Sequence, residues 1–308
     1  MKNDSFGVLS LFDRQIKDLE SGVGYYRTYE TLKHYRVVRK HLSAYIQKQY
    51  DRSEMPFGEI RYAFVIGFDT WMRKELSLAP NSVWGYMTIL KHICTLARNE
   101  GLMGINPFAS YVNRYTKVDR GYLNEEEISR LASVDTSSYT QELVRDLFVF
   151  SAFTGLSYID IKGLRKENIH CLFDGNWWIV KRRQKTKVES SVRLLEVPLK
   201  LVRKWNGSAT DGHLFPVPSN TCCNKTLRIL TKRCGIDRRV TFHVGRHTFA
   251  TLALNRGLPI ESLSSILGHT NIRTTQIYAK ITRKKISEDM VLLAQGISEM
   301  EKSICGSL

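Results

Sequence analysis

The stretch Phe242-His243-Val244-Gly245-Arg246-His247-Thr248-Phe249-Ala250-Thr251, with Ile266-Leu267-Gly268-His269 and Thr274-Thr275-Gln276-Ile277-Tyr278 behind it, decides how this chain is read. His243 and Arg246 open a helical pattern. Residues three apart share a helix face, so the imidazole and the guanidinium can converge on one anion. Gly268 stops the next helix and leaves His269 just beyond it, twenty-three residues after Arg246. Tyr278 follows nine residues later. Each piece alone has an ordinary explanation: an HxxR pair is usually incidental, and a helical tyrosine is usually core or interface. The ordered set is far more specific than any of its members.

Cutting a DNA strand by transesterification needs an in-line oxygen nucleophile and cations on the non-bridging oxygens of the transition state. It also needs an acid for the leaving 5′ oxygen and an acceptor for the nucleophile's proton. No acidic cluster in the sequence suits Mg²⁺, and what the chain offers is cations and a tyrosine. No metal or nucleotide cofactor is expected.

These tracts resemble the HxxRH-T-FA-T and LLGH…Y boxes of the tyrosine recombinase (phage integrase) family, with Ile266 a mild variant. The resemblance implies that Tyr278 is the nucleophile of a 3′-phosphotyrosine and that Arg246 clamps the scissile phosphate. His243 and His269 would assist proton transfer and phosphate binding. Gln184-Lys185-Thr186 is similar to the family's β-hairpin lysine tract, making Lys185 the acid for the 5′ oxygen, with Lys187 next in line. Thr154-Gly155-Leu156-Ser157-Tyr158-Ile159-Asp160 is similar to the TGLRxSE box, but Ser157 stands where the family carries its first catalytic arginine. Serine cannot neutralise a phosphate, so another cation must compensate. Arg145, inside an apolar helix leading to this turn, is the first candidate and Arg165 the second. Asp160 is expected to orient its neighbours, and His247 to be a structural hydrogen-bonding residue.

Composition agrees with such a partner. The 308 residues are 43% hydrophobic and 25% charged, and 46 Lys+Arg against 30 Asp+Glu give a net charge of +16. Spread in short clusters such as Lys181-Arg182-Arg183, that excess suits a long polyanion, although a basic cytoplasmic protein without nucleic acid would look the same. Six cysteines form no CxxC ligand sets, and the opening residues form no signal peptide. No apolar run approaches a membrane span, so the expected location is the cytoplasm.

The expected fold is mainly α with a small β-sheet or hairpin, in two domains. Apolar spacing predicts helices over 26–49 (Tyr29, Leu32, Tyr35, Val38, Leu42) and 59–75, and a third capped by Asn81 or Ser82 with Val83, Tyr86, Ile89, Ile93 and Leu96 buried. These make a helical domain over 1–107, followed by a basic linker over 108–121. The catalytic domain, 122–308, is α+β. It has a capped start at 123–128, a helix at 140–153, strands at 176–181 and 192–197, and helices at 219–232, 243–256, 260–267 and 282–302. Trp177 and Trp178 are expected to cover the face of the hairpin. The resemblance makes the first domain a SAM-like core-binding domain and the pair a clamp on double-stranded DNA. Recombination of two duplexes implies a homotetramer on synapsed DNA, with an accessory DNA-bending protein possible. Residues 286–302, carrying Ile286, Met290, Leu293, Ile297 and Met300 on one face, would dock on a neighbour. The outcome is integration, excision or inversion, as in a mobile element. A type IB topoisomerase and a DNA-binding regulator without catalysis are the rival readings.

Overall fold

The computed structural model describes residues 6–116, 118, 121–184, 188–209, 211–279 and 283–305, with backbone alone at 283–289, 292, 299 and 303. The chain separates into two compact units, Met1–Val118 and Asp119–Leu308.

The first unit is a helical bundle of α1 (Val8–Ser21), α2 (Tyr29–Tyr50), α3 (Tyr62–Lys74) and α4 (Pro80–Asn99). The Glu54 carboxylate accepts the backbone N–H groups of Leu9 and Ser10, both at 2.8 Å, so a distant side chain satisfies the open end of α1. Phe12, Leu42, Phe68 and Met87 meet in the core. Three expectations are corrected here. Tyr29 sits on the first turn of α2 and is exposed. The α4 helix starts at Pro80, whose missing N–H suits a first helical position. Asn81 therefore caps nothing and instead exchanges hydrogen bonds with the backbone of Thr116, at 2.8 and 2.9 Å. The buried stripe of α4 runs through Val83, Met87, Leu90, Ile93 and Ala97, with Tyr86, Ile89 and Leu96 on its flank. The linker is also shorter than expected. Phe108 is buried in this core and the Tyr111 hydroxyl donates to Asp69 at 2.5 Å. Such single-side-chain anchoring leaves no periodic trace in a sequence.

The second unit is built around α6 (Tyr139–Thr154), which buries residues on every side. Around it lie α5 (Glu125–Ser133), α7 (Tyr158–Lys162), α8 (Glu196–Lys204), α9 (Asn220–Arg233) and α10 (Phe242–Asn255). Asn124 and Glu127 close a reciprocal capping box on α5. Then come α11 (Ile260–Leu267), α12 (Arg273–Gln276) and α13 (Arg283–Cys305). Three antiparallel strands, β1 (Ile169–Cys171), β2 (Trp177–Arg182) and β3 (Glu189–Arg193), form one sheet in that order. The hairpin therefore has a third strand, and β3 lies earlier than the expected 192–197. Its inward residues are Ser190 and Val192. Residues from Glu196 onward are helical, with Pro198 in the first turn, where proline is tolerated. Trp177 and Trp178 are adjacent and so point to opposite faces. Trp177 is exposed, and the Trp178 indole donates to Asp174 at 2.9 Å. Among the described residues no helix is long and apolar enough to cross a membrane.

A buried carboxylate pins the middle of α6. Asp146 accepts from Lys204 Nζ at 2.6 Å, the Trp205 indole at 3.0 Å and Arg145 Nε at 2.9 Å. Removing it would take the acceptor from the buried Trp205 indole and leave Lys204 to Glu142 and Arg145 to the Val134 carbonyl. Asp146→Ala should lower the stability of this unit by about 3 kcal/mol, read as a lower urea midpoint in tryptophan fluorescence. An unchanged midpoint would mean that water replaces the carboxylate freely.

Candidate active site

Four loops and helix ends bring the reactive side chains together. Arg246, on the second turn of α10, is only 3% exposed. Its guanidinium reaches the end of α6, where Nη1 donates to the Gly155 carbonyl at 2.8 Å. Gly155 holds that end in the left-handed region, at φ 70°. Nη2 donates to the Leu267 carbonyl at 2.7 Å and lies 2.8 Å from His269 Nε2. His269 follows the cap of α11, and its Nδ1 lies 2.8 Å from the hydroxyl of the fully buried Thr275. His243 sits one helical turn before Arg246 at the entrance of α10. The rings of His243 and His247 meet edge to face at 4.8 Å, and those of His247 and Tyr278 at 5.1 Å. Tyr278 is half-buried against the small apolar cluster of Ala250, Leu263 and Leu267. The expected structural histidine thus also borders the tyrosine.

The candidates for the missing cation fall elsewhere. Arg145 is spent on Asp146 and on the Val134 carbonyl, at 3.0 Å. It lies ten residues before Gly155, roughly 15 Å along a helix axis. Arg165 donates to the Asp211 carbonyl in an exposed turn. Neither joins the cluster around Arg246. The residue that does is Arg183, which the sequence reading missed. It is 7% exposed, and its Nη1 donates to the same Leu267 carbonyl that Arg246 uses. Its Nε and Nη2 hold Asp160 Oδ2 at 3.0 and 2.8 Å. Ser157 donates to that oxygen too, at 2.5 Å, and the Gln184 backbone N–H reaches Oδ1 at 3.2 Å. Asp160 therefore orients its neighbours as expected, while Ser157 serves Asp160 from the start of α7.

One signal for Arg183 was present. Ile179 is fully buried on β2, and positions 181 and 183 share its face at a period of two. Gly268 marks the path of the same side chain. It caps α11 at φ 60°, and a Cβ there would overlap Arg183 Cδ and stand 2.9 Å from Cγ.

Burial and like charge set the electrostatics. Desolvation, and next the charge of Arg183, lower the Arg246 pKa to about 10, against attraction and hydrogen bonding from Tyr278 and the pull of Asp160. His269 drops to about 4, first through desolvation and then through Arg246 and Arg183, so it is neutral near pH 7. Such a pocket favours an incoming anion. Lys185 and Lys187 lie outside the described residues.

The phage integrase family model matches residues 121–285, and the phage integrase SAM-like domain matches residues 8–116. The chain belongs to the phage integrase family. It is a tyrosine recombinase, an enzyme of site-specific DNA recombination. Tyrosine recombinase XerD of Listeria monocytogenes serovar 1/2a is 25% identical over 287 residues, covering 84% of this chain and 95% of the relative. The fold is similar to the Tn1549 transposon integrase in complex with circular intermediate DNA (TM-score 0.70, 19% identity, 93% of this chain and 99% of that one). It is also similar to a lambda integrase dimer bound to a COC′ core site (TM-score 0.70, 18% identity, 87% and 94%).

Proposed function

We propose that Tyr278 of this recombinase attacks one strand of double-stranded DNA and that Arg246 and Arg183 together form the phosphate clamp. The observation that carries the reading is the shared use of the Leu267 carbonyl by both guanidiniums, next to His269 and Tyr278. The Tyr278 hydroxyl oxygen bonds to phosphorus as the bond to the 5′ oxygen breaks, leaving a 3′-phosphotyrosine. The phenolic proton passes to an imidazole of the cluster, and the 5′ oxygen takes a proton from Lys185, two residues beyond Arg183. No cofactor enters this scheme. The phosphodiester energy stays in the tyrosine ester, so rejoining to a second strand needs none either. Two guanidiniums over the equatorial oxygens match the charge that develops there. Arg183 takes the part that an arginine at position 157 would play, and Asp160 holds it ready.

Two duplexes need four cleavages and hence four protomers. The exposed Met290, Leu293 and Met300 of the expected face of α13 support a homotetramer in which this helix docks on a neighbour; the side chain of Ile286, on the same face, lies outside the described residues. The DNA of the cytoplasm is the natural substrate pool. Integration, excision and inversion share this chemistry.

The test substrate is a nicked duplex recovered by covalent capture from fragmented DNA of the source genome. Tyr278→Phe should form no covalent adduct yet bind that duplex within about twofold of the parent, since one hydroxyl and no charge is lost; a persisting adduct would remove Tyr278 as nucleophile. Arg183→Ala should slow cleavage about a hundredfold, with partial recovery when Ser157→Arg is added, whereas Arg145→Ala should cleave at the parental rate. The reverse ranking would return the clamp to Arg145. Deleting residues 286–308 should spare binding of one protomer to a half-site while abolishing the synaptic complex on native gels. Normal recombination by the truncated chain would rule out docking through α13.

A further inference from the structure

Thr275 is fully buried, and its hydroxyl is placed against an imidazole. The proton positions around that imidazole follow from its neighbours. Arg246 has only donors, so the nitrogen facing its Nη2, His269 Nε2, must accept. A neutral imidazole carries one proton, which then sits on Nδ1 and is donated to Thr275 Oγ1. Two charged guanidiniums beside the ring, and its burial, keep it neutral at working pH. The carbonyl of the same threonine accepts the backbone N–H of Tyr278 at 3.0 Å.

We propose that Thr275 is a positioning residue of the active site: its hydroxyl selects the Nδ1–H tautomer of His269, while its carbonyl seats the turn that carries Tyr278. The inference rests on the reading of Tyr278 and His269 as reacting groups. In this tautomer the single lone pair of His269 Nε2 accepts from Arg246 Nη2, and that nitrogen has no proton to give. The valine-shaped alternative would leave Nδ1–H without a buried acceptor, and the ring would gain by moving its proton to Nε2, against Arg246. One residue thereby ties the hydrogen-bonding sense of the histidine to the location of the nucleophile.

The experiment compares Thr275→Val, which keeps shape and loses the hydroxyl, with Thr275→Ser, which keeps the hydroxyl and loses a methyl group. The full chain is labelled with ¹⁵N-histidine and studied without DNA at neutral pH. The His269 signals are assigned by their absence in His269→Asn. The parent and Thr275→Ser should show a protonated Nδ1 and a bare Nε2, and Thr275→Val should lose that pattern. On the captured nicked duplex, Thr275→Val should cleave at least tenfold more slowly than the parent with binding unchanged, and Thr275→Ser should stay within about threefold. A residue that only fills space gives the opposite ranking, with valine close to the parent and serine impaired. That ranking, or an unaltered tautomer in Thr275→Val, overturns the proposal. Should the parent itself fail to cleave, the reading of the reacting groups fails, and the tautomer measurement still decides the role of the threonine.

Discussion

Arg183 and Arg246 both donate to the carbonyl of Leu267, and both are more than nine-tenths hidden from water. Two like charges so placed repel each other and have each lost hydration, an arrangement that folds only if something nearby compensates. Asp160, 1% exposed, is the buried carboxylate that does so, and carbonyl oxygens at the ends of α6 and α11 take the remaining donors. The architecture of the second unit follows from that requirement. The α6 helix must end where it does so that the Gly155 carbonyl faces inward. The hairpin must also lie against α11, which it does through Ser190 and the Ile266 carbonyl.

The cluster is therefore preorganised by groups that are themselves fixed. Lys181, partly buried on β2, donates to the carbonyls of Asp160 and Gly163 and so anchors α7 from below. Desolvation pushes its pKa down, with Arg165 acting the same way and Asp160 opposing. Ser157 then joins Asp160 from the other side. Asp160, the Leu267 carbonyl and Thr275 each hold more than one partner, the usual condition for an electrostatic site that does not have to reorganise.

Much of this was legible in the sequence, for identifiable reasons. Arg246, His269 and Tyr278 lie in short segments whose spacing survives folding, and capping signals such as Asn124 with Glu127 act within a few residues. What stayed hidden depended on contacts distant in sequence. Arg183 stands in a run of three basic residues that looks solvated, and the burial of Ile179 four positions earlier on β2 is what marks its face as the inward one. Arg145 looked conspicuous in an apolar helix because its partners, Asp146 and the Val134 carbonyl, could not be seen as such. The start of β3 and the packing of residues 108–116 were missed because neither is periodic.

Gly268 shows how such a site constrains its own variation. At an ordinary helix end in the left-handed region, asparagine is an acceptable substitute for glycine, since the backbone alone decides. Here the space beyond the α-carbon is taken by the aliphatic stem of Arg183. The two positions, remote in sequence, are thus coupled: the arginine forbids a side chain that the helix would allow. A chain that moved its second guanidinium back to position 157 and shortened residue 183 would release that coupling, and position 268 could then drift.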